Sequence, residues 1–429
     1  MSGHPALIVF TRYPQPGRAK TRLIPAVGAE GAAVLQRRMT RVTVGRAWSW
    51  CATTPSATLT IAYEGGDAAL MREWLGPLDF VTQGDGDLGP RLRRAALRAF
   101  GAGAGRVVII GTDCPSLTEE VLAAAIRATH LHGIVFGPAG DGGYYLVALT
   151  HPSQVSIFDN IPWSTAEVLS ASRDAARATG HEPALLATLP DVDEPADLPA
   201  AEAALHAAGT VSVIIPALNE AVNLARLLPA LEAAAPHEII IADGGSTDDT
   251  AAVTARFGAR HVRTAKGRGA QMNAAAATAT GEFLLFLHAD TDPPDAFPDI
   301  IGKTLLIPGT SAAAFGFRLR EPFRGRSLVE AFVSLRCRWS RLPYGDQGLF
   351  LRRPLFIASG GYPEWPILED VAFIRRLRGI GRVRTTKEAA FTSSRRWQTG
   401  GVIRTFLRHQ LILTGYALGV SPERLAGWR

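Results

Sequence analysis

The chain has 429 residues, 47% of them apolar and 20% charged, which exceeds a typical single core and excludes a disordered chain, so two domains are expected. Cys51, Cys114 and Cys337 lie far apart and form no C-x-x-C pair, which argues against a disulfide framework or structural zinc and fits a reducing cytoplasm. The net charge of +6 is uneven, with 17 Lys+Arg against 20 Asp+Glu in residues 1–209 and 28 against 19 in residues 210–429; the basic second half suits phosphate-bearing ligands or an anionic membrane surface, and its arginines lack the aromatic interleaving of a nucleic-acid platform.

Ala6–Phe10 is an apolar run that Arg12 and the following prolines stop well short of a signal-peptide core, so it reads as a first strand. The loop after it contains Gly17, Arg18, Lys20 and Arg22 without Walker A spacing. A Pro-Gly turn with three cations can hold a diphosphate or triphosphate, and it can also be a plain surface turn. Lys20 is the only lysine of this half. Further strands are expected at Leu59–Tyr63, Val107–Ile110 and Ile134–Phe136. Asp113 ends the second of these, the glycine-rich turn 137–143 carries Asp141, and a late Asp-x-Asp ends on Asp193, giving three carboxylate sources for one metal site. Trp163 reads either as a core aromatic or as a substrate platform. Leu198–Ala208 is an Ala-rich helix that stops at Gly209, which puts the domain boundary between 205 and 210.

The second half opens with strand Val211–Ile215 and a polar loop through Pro216, Asn219 and Glu220. A second strand, Glu238–Ala242, ends on Asp243, where a carboxylate can accept hydrogen bonds from a base or ribose. Lys266-Gly267-Arg268-Gly269 leads into an Ala-rich helix whose N-terminus, with Arg268, suits a diphosphate, although a solvated basic turn has the same sequence. Strand Phe283–Leu287 then runs into His288-Ala289-Asp290-Thr291-Asp292, oxygen and nitrogen donors for Mg2+ or Mn2+, with Asp292 also readable as part of the Asp-Pro-Pro turn. Asp346 and Gln347 lie in a polar loop that fits an acceptor or leaving-group contact. Glu369 and Asp370 form an acidic pair at a helix start. Arg395, Arg396 and Trp397 offer a diphosphate clamp or a solvated basic face. The apolar stretch 401–420 is broken by Arg404, Arg408 and His409, so a spanning helix is not expected, while a surface-lying amphipathic helix with peripheral membrane contact fits.

In both halves strands alternate with helices, the pattern of α/β domains with largely parallel sheets. From Val211 to the low 400s the segments resemble glycosyltransferase family 2, the inverting GT-A enzymes that use nucleotide sugars. The resemblance implies that Pro216, Asn219 and Glu220 border the nucleotide and that Asp243 contacts the base. His288 stands where the first Asp of the family's Asp-x-Asp would be, which leaves Asp290 as the leading metal ligand. Asp370 is implied as the base that takes the acceptor's proton, with Glu369 as support or second candidate. The Phe286–Thr291 and Gly345–Gly348 phrases resemble members associated with radical-SAM, selenium or arsenosugar clusters, which implies a small-molecule acceptor. Processive synthesis is not implied, because no Gln precedes Arg395 and Arg396 in the way the Gln-x-x-Arg-Trp element requires.

Residues 6–200 resemble the GT-A-like family called rSAM/selenodomain-associated transferase 1, similar in fold to nucleotidyltransferases that build molybdenum-cofactor, isoprenoid and deazaflavin precursors. By that resemblance Gly17, Arg18 and Lys20 hold phosphates, Asp113 and Asp193 bind the metal, and Asp141 contacts nucleotide or acceptor. The expected whole is two tandem GT-A-like, Rossmann-like domains, residues 1–205 and 210–429, in which the first makes an activated donor from an NTP and the second transfers it. The alternatives are a second glycosyltransferase or an inactive nucleotide-binding module in the first half, and a membrane-associated transferase with a lipid-phosphate acceptor.

Overall fold

The computed structural model describes residues 3–340 and 342–428. The chain divides into two compact units, the first comprising Met1–Ala208 with Leu306–Gly309 and the second Gly209–Leu305 with Thr310–Arg429.

In the first unit the strands are β1 (His4–Arg12), β2 (Thr58–Glu64), β3 (Asp79–Thr82), β4 (Ala104–Ile110), β5 (Ile134–Pro138), β6 (Tyr144–Leu149) and β7 (Ala184–Leu185). They form one sheet in the order β3-β2-β1-β4-β6-β5-β7. The first four are parallel, β6 runs antiparallel to both β4 and β5, and β7 is parallel to β5.

The second unit contains β8 (Val211–Ala217), β9 (Glu238–Asp243), β10 (Arg260–Arg263), β11 (Phe283–Phe286), β12 (Thr291–Asp292), β13 (Thr310–Leu319), β14 (Leu349–Arg352) and β15 (Arg382–Thr392). Its order is β10-β9-β8-β11-β14-β13-β15-β12, again with four parallel strands followed by an antiparallel one. Apart from the added β12, the two sheets share one connectivity. Both units are GT-A-like α/β domains with mixed, mostly parallel sheets.

The central strands are legible as strands because both their faces are covered. Every residue of β8 is buried, and Val213, Ile215, Leu285 and Phe350 meet in one core with Leu224, Leu227 and Leu231 of the covering helix Ala221–Ala233. Full burial of each such side chain contributes about 1.5–3 kcal/mol. The strands the sequence conceals lack that signal. β10, Arg-His-Val-Arg, is an exposed edge; β13 contains the run Ala312-Ala313-Ala314, whose propensity favours helix; β15 is largely charged or polar.

One device recurs at the ligand-bearing ends of both sheets. Gln83 Nε2 donates to the carbonyls of Thr11 and Ala62, both at 3.1 Å, and Gln271 Nε2 donates to those of Ala217 and Ala242, both at 2.8 Å. In each case a glutamine amide bridges carbonyls of two adjacent parallel strands near their carboxyl ends. Among the described residues, no helix is long and apolar enough to cross a membrane.

Candidate functional site

A cavity of about 760 Å3 lies beyond the carboxyl ends of β8 and β11, where open α/β sheets place their ligands. It brings together Pro216 at the end of β8 and Glu220 after it, Lys266 and Arg268 at the start of the Arg268–Thr278 helix, His288 and Asp290 after β11, Asp346, the Glu369–Asp370 pair, and Arg395 with Trp397. Residues separated by 181 positions in the chain thus border one space.

The Glu369–Ile380 helix carries its acidic pair in its first turn, where the helix dipole favours negative charge. Asp370 Oδ2 accepts from the Gly345 N–H at 3.0 Å and Oδ1 from the Val371 N–H at 2.7 Å, which fixes the plane of the carboxylate. A methyl group on Gly345 would stand 2.9 Å from His288 Nε2 and 3.7 Å from Asp370 Oδ2, so His288 and Asp370 flank this glycine and leave no room for a side chain. Leu368, immediately before the pair, has φ 64°, a conformation that costs a branched residue energy and that the surroundings must impose. Tyr362 packs on Phe373 with ring centroids 4.4 Å apart. Burial first, and the charges of Asp370 and Glu369 after it, push its phenol well above the ordinary value, so it remains neutral.

The cavity is also lined by the N-terminus of the Arg268–Thr278 helix, an anion-suited end with Gly267 at φ 136° as its cap. This helix is clamped to the segment leading to Asp370. Asn273 Nδ2 donates to the Tyr362 carbonyl at 2.8 Å and its Oδ1 accepts from the Tyr362 N–H at 2.9 Å. A Cβ on Gly269 would meet the Pro363 carbonyl oxygen at 2.4 Å. The clamp ties this helix to residues 362 and 363, in the segment that leads to Asp370. Sequence reasoning missed Asn273 as a tie because nothing local marks its partner 89 residues away.

The backbone at Asp290 is also fixed, its carbonyl accepting from Arg320 at 2.5 Å and from the Ser393 N–H at 3.2 Å. Ser394, whose N–H and hydroxyl both donate to Glu321, anchors the turn that brings Arg395 to the rim. Trp397 contacts the His409 ring edge-on at 5.8 Å. The side chain of Arg396 lies outside the described residues.

Several expected roles are revised. Asp292 is held by Arg226 and by Arg320 Nε at 2.8 Å, and it does not line the cavity, so two guanidinium groups take the carboxylate that a metal would need. Gln347 is fully buried: its amide donates to the Phe315 carbonyl at 3.0 Å and accepts from the Tyr344 N–H, which makes it a support of the loop and not an acceptor contact. Asn219 accepts from Thr247 and, at φ 58°, forms the turn beside the cavity without lining it.

Asp243 is 3% exposed, and its Oδ1 accepts from the Gly245 N–H, the Ser246 N–H and the Ser246 hydroxyl while His261 Nε2 lies 3.0 Å from Oδ2. Such a carboxylate shapes the 244–246 turn and has no free face for a base. Burial opposes its charge, but the bonds from Ser246, His261 and Gly245 outweigh burial and hold the carboxyl below the usual range. A depressed folded value means the stabilisation is present above the unfolded pKa of about 3.9 and is lost as pH falls through the folded value. Asp243→Ala is therefore expected to cost about 1–3 kcal/mol near neutrality, and urea titrations should show the gap to wild type closing in acid.

In the first unit the cations and acids of the sequence meet differently from expectation. Lys20 Nζ lies 2.9 Å from both Asp113 Oδ1 and Asp193 Oδ1 and donates to the Val192 carbonyl. Burial works against its charge, yet the two carboxylates outweigh that and raise its pKa. Its ammonium thus bridges the two carboxylates expected at the metal, Asp113 and Asp193. Among the described residues, the group with metal-like spacing is Asp141, Asp191 and Asp193, one carboxylate oxygen of each lying within 4.8 Å of the others. Asp191 has a raised pKa, from burial first and then from Asp141. Asp141, expected at the nucleotide, joins this acid group, and its Oδ1 accepts from the Gly143 N–H at 2.8 Å. The Asp-x-Asp spacing signalled Asp191, but only the fold brings Asp141 to it. Gly17 and Arg18 are exposed on the turn, and Trp163 packs against the core beside Tyr144, as a core aromatic does.

Comparison with known proteins follows the same division. No curated protein matches the chain. Among solved structures, a protein of Desulfovibrio desulfuricans G20 described as a candidate nucleotide-diphospho-sugar transferase is 30% identical, covering 47% of this chain and 96% of its own, with a TM-score of 0.41. Glucosyl-3-phosphoglycerate synthase from Mycobacterium tuberculosis, solved with Mn2+ and UDP-glucose, is 22% identical over 41% of this chain and 68% of its own, with a TM-score of 0.33. S. aureus TarS residues 1–349, solved with UDP-GlcNAc, is 16% identical over 43% of this chain and 58% of its own, with a TM-score of 0.35. The family model of DUF2064, an uncharacterized protein conserved in bacteria, matches residues 48–165, and that of glycosyl transferase family 2 matches residues 212–360. The second match stops short of Glu369 and Asp370, whose placement rests on the geometry above. The chain is a glycosyltransferase, belonging to glycosyl transferase family 2 through its second half and to DUF2064 through its first.

Proposed function

We propose that the second unit is an inverting transferase that takes a nucleotide sugar and a small-molecule acceptor, with Asp370 as base. The observation that supports this reading is that Asp370 lines the same cavity as the Arg268 helix end, with Asn273 tying that helix to Tyr362 in the segment that leads to Asp370. The donor's diphosphate lies at the anion-suited helix N-terminus, with Lys266, Arg268 and Arg395 around it. The acceptor hydroxyl gives its proton to the Asp370 carboxylate as its oxygen attacks the anomeric carbon from the face opposite the leaving diphosphate. Asp370 can do this because the Gly345 and Val371 N–H groups hold it in place without giving it a proton.

The donor set suits a divalent ion. Asp290 offers a carboxylate and His288 a ring nitrogen on the cavity wall, and ions that bind nucleotide substrates complete their shell with phosphate oxygens and water. A His in the set favours Mn2+ over Mg2+. Bound there, the ion would neutralise the diphosphate's developing charge. Incubating the protein with nucleotide sugars and Mg2+ or Mn2+, and following nucleoside diphosphate release by mass, tests the reading; no release across donors of every base would overturn it.

For the first unit we propose nucleotidyl transfer, in which a sugar or acid phosphate attacks the α-phosphate of an NTP and pyrophosphate leaves. The acid group of Asp141, Asp191 and Asp193 supports it, since three carboxylates at this spacing fit a hard cation. Pyrophosphate release from an NTP and a phosphosugar is expected to fall by about 10²-fold or more in Asp191→Asn. Release undiminished in that variant would remove the acid group from the reaction.

A further inference from the structure

The Val402–Ala417 helix faces two ways. Arg408, His409, Ile412 and Leu413 line the cavity. Ile403, Leu407 and Leu411, at i, i+4 and i+8, form an outward stripe that is 74%, 60% and 57% exposed. A neighbouring helix, Arg326–Ser340, which the edge-on contact of Phe332 and Phe406 at 4.4 Å holds beside it, also carries exposed Leu328 and Leu335. Three large aliphatic side chains aligned on one helix face are more than the singly scattered apolar residues of an ordinary surface, and such patches mark interaction sites.

We infer that this face seats the protein on an anionic lipid bilayer surface. The charge fits that occupant: Arg404 and Arg408 border the stripe, and the helix that bears it contains no acid. An apolar stripe flanked by arginines is the composition of a helix lying in the headgroup plane. A second copy of the chain fits less well. A two-fold pairing of the stripe would set Arg404 and Arg408 near their own copies, with no acid on the helix to separate them. Because the same helix forms part of the cavity wall, seating it would leave the cavity about one helix diameter, roughly 10 Å, from the lipid surface. The inference is independent of the donor and of the reaction proposed above.

Flotation of the full chain with phosphatidylcholine vesicles, with and without phosphatidylglycerol, tests this. The wild type is expected to float with the anionic vesicles only, and to be released by added salt. Leu407→Glu/Leu411→Glu, outside the cavity lining, is expected to keep its circular dichroism spectrum and to lose partitioning by about tenfold or more. Wild type that does not float, or a folded variant that floats equally well, overturns the inference. A wild-type dimer that this variant dissociates, with no flotation by either protein, assigns the face to a second copy instead.

Discussion

Asp370→Asn is expected to slow transfer by about 10²–10⁴-fold, the contribution of a positioned general base. The substitution is nearly isosteric, and its amide oxygen can still accept from the Val371 N–H, so the helix start should persist; the amide nitrogen faces the Gly345 N–H and gives up one hydrogen bond. Donor binding, read by calorimetry with a nucleoside diphosphate, should change little, because Lys266, Arg268 and Arg395, the groups proposed at the diphosphate, are untouched by the substitution. The comparison that decides the base is Glu369→Gln. Glu369 is 7% exposed and adjacent in sequence, and a carboxylate that supports but does not take the proton should cost less rate when neutralised. A rate lost in Glu369→Gln and kept in Asp370→Asn would exchange the two roles.

Asp290→Ala is expected to lower the rate by about 10²–10³-fold, because the leaving diphosphate would lose the ion that neutralises it. This loss should appear in nucleotide binding as well: the gain in nucleoside diphosphate affinity that Mn2+ confers on the wild type should shrink in the variant. Asp292 supplies the contrast. Its carboxylate is taken by Arg226 and Arg320, so Asp292→Ala should leave the Mn2+ response intact and act on stability. A metal response lost in Asp292→Ala and kept in Asp290→Ala would transfer the ligand role to Asp292.

The two Asp residues of this short segment show how far sequence reading reaches. His288, Asp290 and Asp292 follow a buried strand, which was enough to place them at the ligand end of the sheet. Which of the acids faces the cavity depends on Arg226 and Arg320, whose distance in the chain hides the pairing. Gln347 and Asp243 differ from expectation for a related reason. A polar residue in a Gly-rich turn reads as accessible, but here the turn folds over it and uses its polar atoms as internal acceptors and donors.

The sequence by itself determined the α/β class, the central strands and the acid positions at their ends, because doubly covered strands must be continuous apolar runs and the site-bearing loops must follow them. It could not reveal the exposed, charged or Ala-rich strands β10, β13 and β15, whose pairing comes from partners elsewhere. Only the tertiary structure decided that the first unit's lysine sits between Asp113 and Asp193, that Asp141 joins Asp191, and that Asn273 ties the Arg268–Thr278 helix to Tyr362. Those are contacts between residues distant in the chain, and their geometry is fixed by packing and hydrogen-bond satisfaction across the fold, which no local spacing encodes.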